Sequence, residues 1–587
     1  MRKALLFILA CLSSLQLNAQ WSGETNINGA YTFARNNNED AVFKLKYQGE
    51  KYYLGTSLSG GHDYRRTTKE TSITDLKTEG KEYSKYEDNE LVPRKWKING
   101  SLLFGYRFNE RNSLDMDFGY RHNASQDTPE LLSERYHYSG SSIITQKGMQ
   151  LDTNSMHNNG VDSKISYTHR MLSRKDGTIS VVANVLYNNQ NEDKARRLEG
   201  ELYAKNKNYR TYGNFKDLYY KIVASYNDVF HLCDNDLKTS VGLEYDNTHD
   251  YDKYRTSNNA GGIWRDSTWF HQSFYYYTYR AEPYFDLTYS IGKFDFHLSE
   301  RVQWYIHSLE NELEGDNKLL DNADSFTKND WKNFTEFQMG FHSTENSTFK
   351  LEFSHSITRP EYKKLCAMIT LGASEGEYFI GNPNLVPETI NDIKLRYSYN
   401  KGIFVAGIDL GYSSKHNTAE KVLDTDTPVR VDDPDIKTVY TWVNTQRQQT
   451  LSMKLSLDVN SKDLSAKLWT IVREDYYHYK SKDPKTDYSY DMGMTLAANL
   501  NEKTVLSADM LYLSAKESAY NKKGEDLIAN VRLTRKVNDR LSIYVEERDI
   551  ADKDLVEETW NEQMTYSKTI NTKSRNYSLV LGLSYKF

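Results

Sequence analysis

Along this chain apolar side chains recur at every second residue in short runs, and the runs come in pairs. Phe43, Leu45 and Tyr47 share one face, a turn follows near Gly49, and Tyr52, Leu54 and Leu58 continue on the far side. The next pair repeats the scheme. Leu102, Phe104, Tyr106 and Phe108 precede a turn at 109–112, and Leu114, Met116, Phe118 and Tyr120 follow it. Gly105, Arg107, Asp115, Asp117 and Arg121 occupy the opposite face. A period of two is the signature of a β-strand with one apolar and one polar side. Further pairs turn at 173–177, 232–236, 292–293, 343–347, 400–402, 460–463, 501–503 and 537–540, which makes ten hairpins.

Between the hairpins lie longer polar stretches, at 66–94, 126–159, 191–213, 250–271, 309–329, 361–388, 417–436 and 553–573, which read as strand-poor or irregular loops. Short turns and long loops alternate, so all the long loops leave from one end. The closing run splits in the same way. Tyr577, Leu579, Leu581, Leu583, Tyr585 and Phe587 fall on one side, and Val580 is the single apolar residue on the other. Ten hairpins, an opening strand over 21–35 and this closing strand predict an all-β fold, a transmembrane antiparallel β-barrel of about 22 strands. It would have short periplasmic turns and long extracellular loops. Closure requires the last strand to pair with the first, because an unpaired edge in lipid strands its backbone groups. The competing reading of the closing strand alone is the edge of a soluble sandwich.

Composition fits a polar-in, apolar-out barrel. The mean hydropathy of -0.77 is that of a water-soluble chain, yet 46 tyrosines and only 9 prolines stand among 587 residues. No linker or composition break divides the chain. At its start, "MRKALLFILACLSSLQLNAQ" carries Arg2 and Lys3 before an apolar core and Ala19, the pattern of a secretory signal peptide cut after Ala19. Alternatives are a membrane anchor or a lipoprotein cut before Cys11. Residues 1–19 are therefore read as the signal and 20–587 as one barrel domain, whose net charge falls from -6 to -8 on cleavage. Cys233 and Cys366 remain. The hairpin scheme sets them at opposite ends of the barrel, so both are expected as thiols.

The stretch 357–399 contains Arg359-Pro360 at a strand end and "GNPNLVPE" from Gly381 to Glu388 before the next strand. It resembles the barrel of the TonB-dependent receptors, specifically the Bacteroidetes type. The final "GLSYKF", with Gly582, Leu583, Tyr585 and Phe587, resembles the C-terminal signal read by the barrel-assembly machinery. The resemblance implies a transport-related channel or receptor, with a glycan or peptide as solute and a surface lipoprotein as a candidate partner. Receptors of that family carry a plug and a TonB-binding segment before the barrel, whereas here the opening strand follows the signal at once. A plugless barrel with no direct TonB coupling is therefore expected. Independently of the resemblance, Pro383 and Pro387 stiffen an extended loop end before the strand that starts at Thr389. That makes the motif a structural junction first.

Candidate chemistry is sparse. The 14 histidines form neither a His-Glu-x-x-His nor a paired His/Cys spacing, and no nucleophile elbow or phosphate loop occurs. No enzyme activity, metal, cofactor or nucleic-acid partner is expected. His62-Asp63, His249 and Asp250 read as solvated rim residues. Asp424, Asp426, Asp432, Asp433 and Asp435 read as an acidic loop before they read as a calcium site. Trp264, Trp269, Phe270 and His271, beside Gly261-Gly262, are the candidate ligand or partner contacts, set against membership of an aromatic girdle with "YYYTYR". Lys394, Arg396, Asp409, Lys454 and Asp458 are assigned to the lumen, wetting it or pairing across it. The rival to transport is a structural subunit of an outer-membrane secretion, assembly or surface complex, its lumen filled by the long loops or by another protein.

Overall fold

Each short turn of the computed structural model delivers the chain into an antiparallel ladder with the strand before it. The structure describes residues 21–586 except 32–36, 65–67, 79–80, 92–93, 140–141, 172–176, 202–206, 233–234, 261–262, 314–324, 367–368, 372–376, 425–437, 445–446, 479–482, 519–520, 552, 561–565 and 575–576. Twenty-two strands form the wall. They are β1 Trp21–Tyr31, β2 Asn37–Gln48, β3 Tyr52–Tyr64, β4 Arg94–Arg107, β5 Asn112–Asp127, β6 Ser142–Arg170 and β7 Thr178–Gly200. There follow β8 Lys207–Leu232, β9 Asn235–Ala260, β10 Ile263–Ile291, β11 Phe294–Leu313, β12 Phe326–Thr344, β13 Ser347–Thr358, β14 Glu388–Lys401 and β15 Phe404–His416. The remainder are β16 Arg447–Asn460, β17 Leu464–His478, β18 Lys485–Asn501, β19 Thr504–Leu513, β20 Asp526–Lys536, β21 Leu541–Arg548 and β22 Ser578–Lys586.

Every strand pairs antiparallel with its two neighbours in this order. The ladder then returns to its start, because β22 pairs with β1 from Tyr31↔Leu579 to Glu24↔Lys586. All ten predicted hairpins occur. Gly292 and Gly402, at φ 58° and 61°, take the left-handed conformation that two of the tight turns require.

The two faces of the wall differ in chemistry. Leu102, Phe118, Val161, Val181, Val241, Leu395, Leu455, Leu468, Leu533 and Leu581 point outward and are exposed around the ring. A continuous exposed apolar band is stable only against an apolar medium. The inner face carries Glu244, Asp246, Glu282, Gln303, Asp491 and Glu546, all buried. Val580 is buried on this inner face at 2% exposure, so the one apolar residue that broke the terminal alternation is accommodated inside. Four inward glycines each lie directly opposite an aromatic residue, in the pairs Gly105↔Tyr53, Gly242↔Tyr284, Gly493↔Trp469 and Gly582↔Tyr544. In each the ring lies where a glycine Cβ would stand, which covers the backbone and lets adjacent strands bend.

The long loops depart from expectation. Stretches 191–213 and 250–271 are mainly strand: β7 to β10 run on past the apolar band as tall hairpins. Their reading as loops failed because lipid no longer faces the outside of the wall there, so hydrophobic alternation fades while backbone pairing persists. Stretch 66–94 is likewise strand, in the pair Thr68–Thr78 and Lys81–Leu91. These belong to an outer ladder that starts on 142–151 of β6. It passes through Glu130–Ser139, Lys81–Leu91, Thr68–Thr78, Tyr566–Ser574, Leu555–Trp560 and Asn521–Lys523 to Lys516–Glu517. It ties loops on both sides of the β22–β1 seam together. A separate four-stranded sheet joins Ile369–Leu371, Glu377–Ile380, Thr438–Asn444 and Ala419–Asp424.

Candidate functional site

The loop between β13 and β14 folds inward, onto the inner face of the tall wall. Its root is Arg359, which leaves β13 and reaches back across two strands. One guanidinium nitrogen donates to Asp330 Oδ1 at 2.8 Å and another to Gln303 Oε1, while the group lies 3.9 Å from the Tyr305 ring centroid. Gln303 in turn donates to Glu282 Oε2 at 2.7 Å. Glu282 accepts from Arg301 at 3.3 Å, and Arg280 bridges Glu244, Asp246 and Glu282. Lys221 closes the chain on Glu244 at 2.6 Å. The loop root is thereby wired into a row of inner-wall charges that are neutralised pairwise.

Beyond Pro360 comes a single helical turn, α1, Tyr362–Leu365. Leu365, Cys366 and Leu385 are buried against Phe274, Tyr276 and Leu309 of the wall, with Tyr254, Phe326, Tyr362, Ala419 and Trp442 packed around them. Tyr362 stacks on Tyr276, with centroids 5.4 Å apart, and its hydroxyl donates to Asp252 Oδ2 at 3.1 Å. Lys363 Nζ stands 3.7 Å from the same carboxylate and 5.0 Å from the Phe215 ring centroid. Asp252 is fully buried, and its Oδ1 accepts no hydrogen bond from the described residues.

The segment Gly381–Val386 locks this turn in place. A Cβ on Gly381 would lie 2.0 Å from the Cys366 carbonyl oxygen, so only glycine permits the approach. Asn382 donates its backbone N–H to Lys364 O at 2.7 Å and its Nδ2 to Trp442 O at 2.8 Å. Lys328 Nζ donates to Pro383 O at 2.5 Å. Asn444, on the second loop, pairs with both backbone groups of Val386 and also donates to Asn417 O at 2.6 Å. The Gly381–Glu388 motif is thus the structural junction expected of it, and it serves a larger object. Two loops are sewn together and pinned to the inside of the barrel mouth.

Electrostatics at the mouth are set by burial. Desolvation pushes the Asp250 carboxyl up to about 7, with Asp217 and Asp252 adding repulsion and Lys363 opposing it. Asp252 rises to about 6 for the same leading reason, although Lys363 and Tyr362 favour its charged form. Glu420 is raised by burial to about 7. Burial lowers His307 to about 4, helped by Lys328 and Arg359. Burial thus favours the protonated forms of Asp250 and Asp252, and Lys363 beside them opposes it.

A family model for the outer membrane protein beta-barrel family matches residues 173–585. The chain belongs to that family. The outer-membrane barrel is also similar in fold to solved receptors. It superposes on the siderophore receptor PirA of Pseudomonas aeruginosa with a TM-score of 0.56 at 12% identity, covering 98% of this chain and 81% of that one. For the ferric enterobactin receptor PfeA of the same organism the TM-score is 0.61 at 13% identity, over 98% and 82%. For the ferric-catecholate import receptor Fiu of Escherichia coli K12 it is 0.64 at 11%, over 96% and 82%. A search of curated proteins gives no match.

The residues singled out from sequence fall in different places. Trp264 lies opposite Asn259, and Trp269, Phe270 and His271 lie in a bulge of β10 between Ser267 and Gln272; their side chains are outside the described residues. The aspartates from Asp426 to Asp435 also lie outside them, as do Cys233 and Phe587. Cys366 is a buried thiol 3.7 Å from Asn311 Oδ1, at the loop end of β11. Residue 233 follows Leu232 at the turn end of β8. Gly582 sits beneath Tyr544, and Leu583 points outward. His249 and Asp250, adjacent in sequence, face opposite sides. In the lumen, Arg396 pairs with Asp409 at 3.0 Å and Lys467 with Asp458 at 3.8 Å, while Lys454 lies over the Trp469 ring. Among the described residues no histidine, cysteine and acid group is arranged to hold a metal. Sequence reasoning did not find Asp252, Arg280, Gln303 and Tyr362. The available signal was Arg359-Pro360 followed by Tyr362-Lys363-Lys364, a cationic aromatic turn after a strand end.

Proposed function

We propose that this outer-membrane barrel is a solute channel or receptor whose outer mouth is narrowed by its own inward loop, and whose solute is a glycan or a peptide. The observation that carries the reading is the Arg359 clamp, which fixes the loop to the inner face of the wall. Aromatic rings and paired charges around the clamp suit a polar, ring-bearing or amide-bearing solute. Passage would be diffusion gated by the loops, without direct TonB coupling, and a surface lipoprotein could deliver the solute. The iron chelates named for PirA, PfeA and Fiu are the competing solute class.

A second reading is favoured by the loop's own apolar core, Leu365, Cys366 and Leu385 against Phe274 and Leu309. A packed plug of that kind suits a closed scaffold barrel in a surface or secretion complex. Conductance in a planar bilayer separates the two, once heat-modifiable migration has shown the purified protein to be folded. Small steady currents that a neutral oligosaccharide or short peptide blocks, and that grow in Arg359→Ala, support the channel. Silence from both proteins, with folding intact, sinks it in favour of the scaffold.

A further inference from the structure

The outer face of the tall wall changes character with height. On β10 the outward positions between Tyr289 and Tyr279 are Leu287, Phe285, Pro283 and Ala281, all apolar. Ten residues at ~3.3 Å each, on a strand tilted by about 40°, rise roughly 25 Å, the height of a barrel's apolar band. Tyr289, in register with Phe230 of β8 across β9, therefore marks the lower membrane boundary. Tyr279, with Tyr245 and Trp304 on the flanking strands, marks the upper one. That places the girdle at Tyr279 and leaves Tyr277 and Tyr275 above it, by ~5 and ~10 Å on the same geometry.

Above the upper boundary the outward face holds a groove of about 190 Å³, lined by Tyr187, Lys216, Leu218, His249, Asp250, Tyr251, Tyr275 and Tyr277. Its rings are set at varied angles. Tyr275 and Tyr277 are nearly parallel, with centroids 6.4 Å apart, Tyr251 meets Tyr275 at 4.8 Å, and His249 meets Tyr277 edge-on at 5.0 Å. Lys216 Nζ stands 5.9 Å from the Tyr251 ring centroid. The His249 Nε2 atom is buried and has no hydrogen-bond partner among the described residues. Acyl chains would require only aliphatic groups here. Aromatic faces interleaved with phenol hydroxyls, an amine and an unsatisfied ring nitrogen match a ligand that alternates C–H faces with hydroxyls.

We infer that this groove binds the saccharide headgroup of an outer-leaflet glycolipid, with Tyr251 and Tyr275 stacking on the sugar and Lys216 and His249 meeting its polar groups. The site is on the outside of the barrel and is independent of the lumen. Native mass spectrometry of the full protein in detergent, titrated with rough-type lipopolysaccharide and separately with phosphatidylethanolamine, tests it. The expected result is retention of the lipopolysaccharide, competition by its free core oligosaccharide, and at least tenfold weaker retention in the Tyr251→Ala/Tyr275→Ala variant. Tyr279→Ala, one rung lower, should weaken both lipids alike and leave the preference intact. Equal retention of the two lipids by the wild-type protein would overturn the site and leave the rings as ordinary girdle. Undiminished lipopolysaccharide binding by the double variant would overturn it too.

Discussion

The tall wall and the seam solve the same closure problem with opposite means. β9 and β10 run for 26 and 29 residues, and β8 pairs with β9 from Asn208 to Leu232. At the seam β21 and β22 have 8 and 9 residues, and β22 meets β1 over a register no longer than itself. The tall wall has backbone pairing in excess and can hold a dense row of inner charges and a docked loop. The seam has little pairing to spare. It is reinforced from above by the outer ladder, in which Tyr566–Ser574 pairs with Thr68–Leu76 across the junction. The inner charge row and the docked loop both lie where the backbone ladder is longest.

The largest test strikes the charge row. Arg280→Ala would leave Glu244, Asp246 and Glu282 facing one another, buried, with Lys221 and Arg301 alone to offset them. Removing one partner of a buried ion network costs ~3–5 kcal/mol. The midpoint of heat-modifiable unfolding should fall by more than for any seam substitution, and an unchanged midpoint would show that water screens the row.

Next comes the loop lock. Gly381→Ala sets a Cβ against the Cys366 carbonyl, so α1 must shift and Leu365 and Leu385 lose their packing. The barrel should stay folded while limited proteolysis opens the 359–387 segment and bilayer conductance rises. Uncut protein with unchanged current would mean that the loop is held elsewhere.

How much of this was legible in the sequence depends on what each face touches. The ten hairpins, the 22 strands and the terminal stripe were readable because lipid outside and water inside impose strict alternation. The tall hairpins above the membrane were not, since charged and amide residues are interleaved with tyrosines there, and the loop against which Tyr254, and through it Phe215, packs is remote in sequence. The inward loop was half readable. Pro383 and Pro387 announced a stiff junction, but nothing local pairs Arg359 with Asp330 or Tyr362 with Asp252, which are 29 and 110 residues away.

A smaller effect is expected from pH. Asp250 and Asp252 have raised values in the folded barrel, about 7 and about 6, chiefly through burial. A raised carboxyl contributes stability that is full below its unfolded value and is lost as pH rises through the folded one. The groups facing this pair are Asp217 from β8, Tyr254 from β9, Tyr276 from β10, Lys363 and Tyr362 from the loop, and each other. Docking of the loop should therefore tighten as pH falls from 8 to 5, with conductance dropping up to about tenfold, ~1.4 kcal/mol. Asp250→Asn/Asp252→Asn should flatten that profile; a persisting slope would assign it to Glu420.

The finest test compares two equivalent rings. Tyr284 covers Gly242 in the tall wall with Arg301 5.0 Å from its centroid, and Tyr544 covers Gly582 at the seam with Arg532 at 4.5 Å. The local chemistry is nearly the same, so Tyr284→Ala and Tyr544→Ala remove similar contacts, worth ~1 kcal/mol each. Their consequences should differ because β9 and β10 remain paired far above Gly242, whereas β21 and β22 have no such reserve. Tyr544→Ala should lower the heat-modifiable midpoint and accelerate exchange of the β22 backbone amides, while Tyr284→Ala leaves exchange in β9 nearly unchanged. Equal exchange in the two variants would show that the outer ladder already carries the seam, and the contrast between long and short strands would then be one of length without consequence for stability.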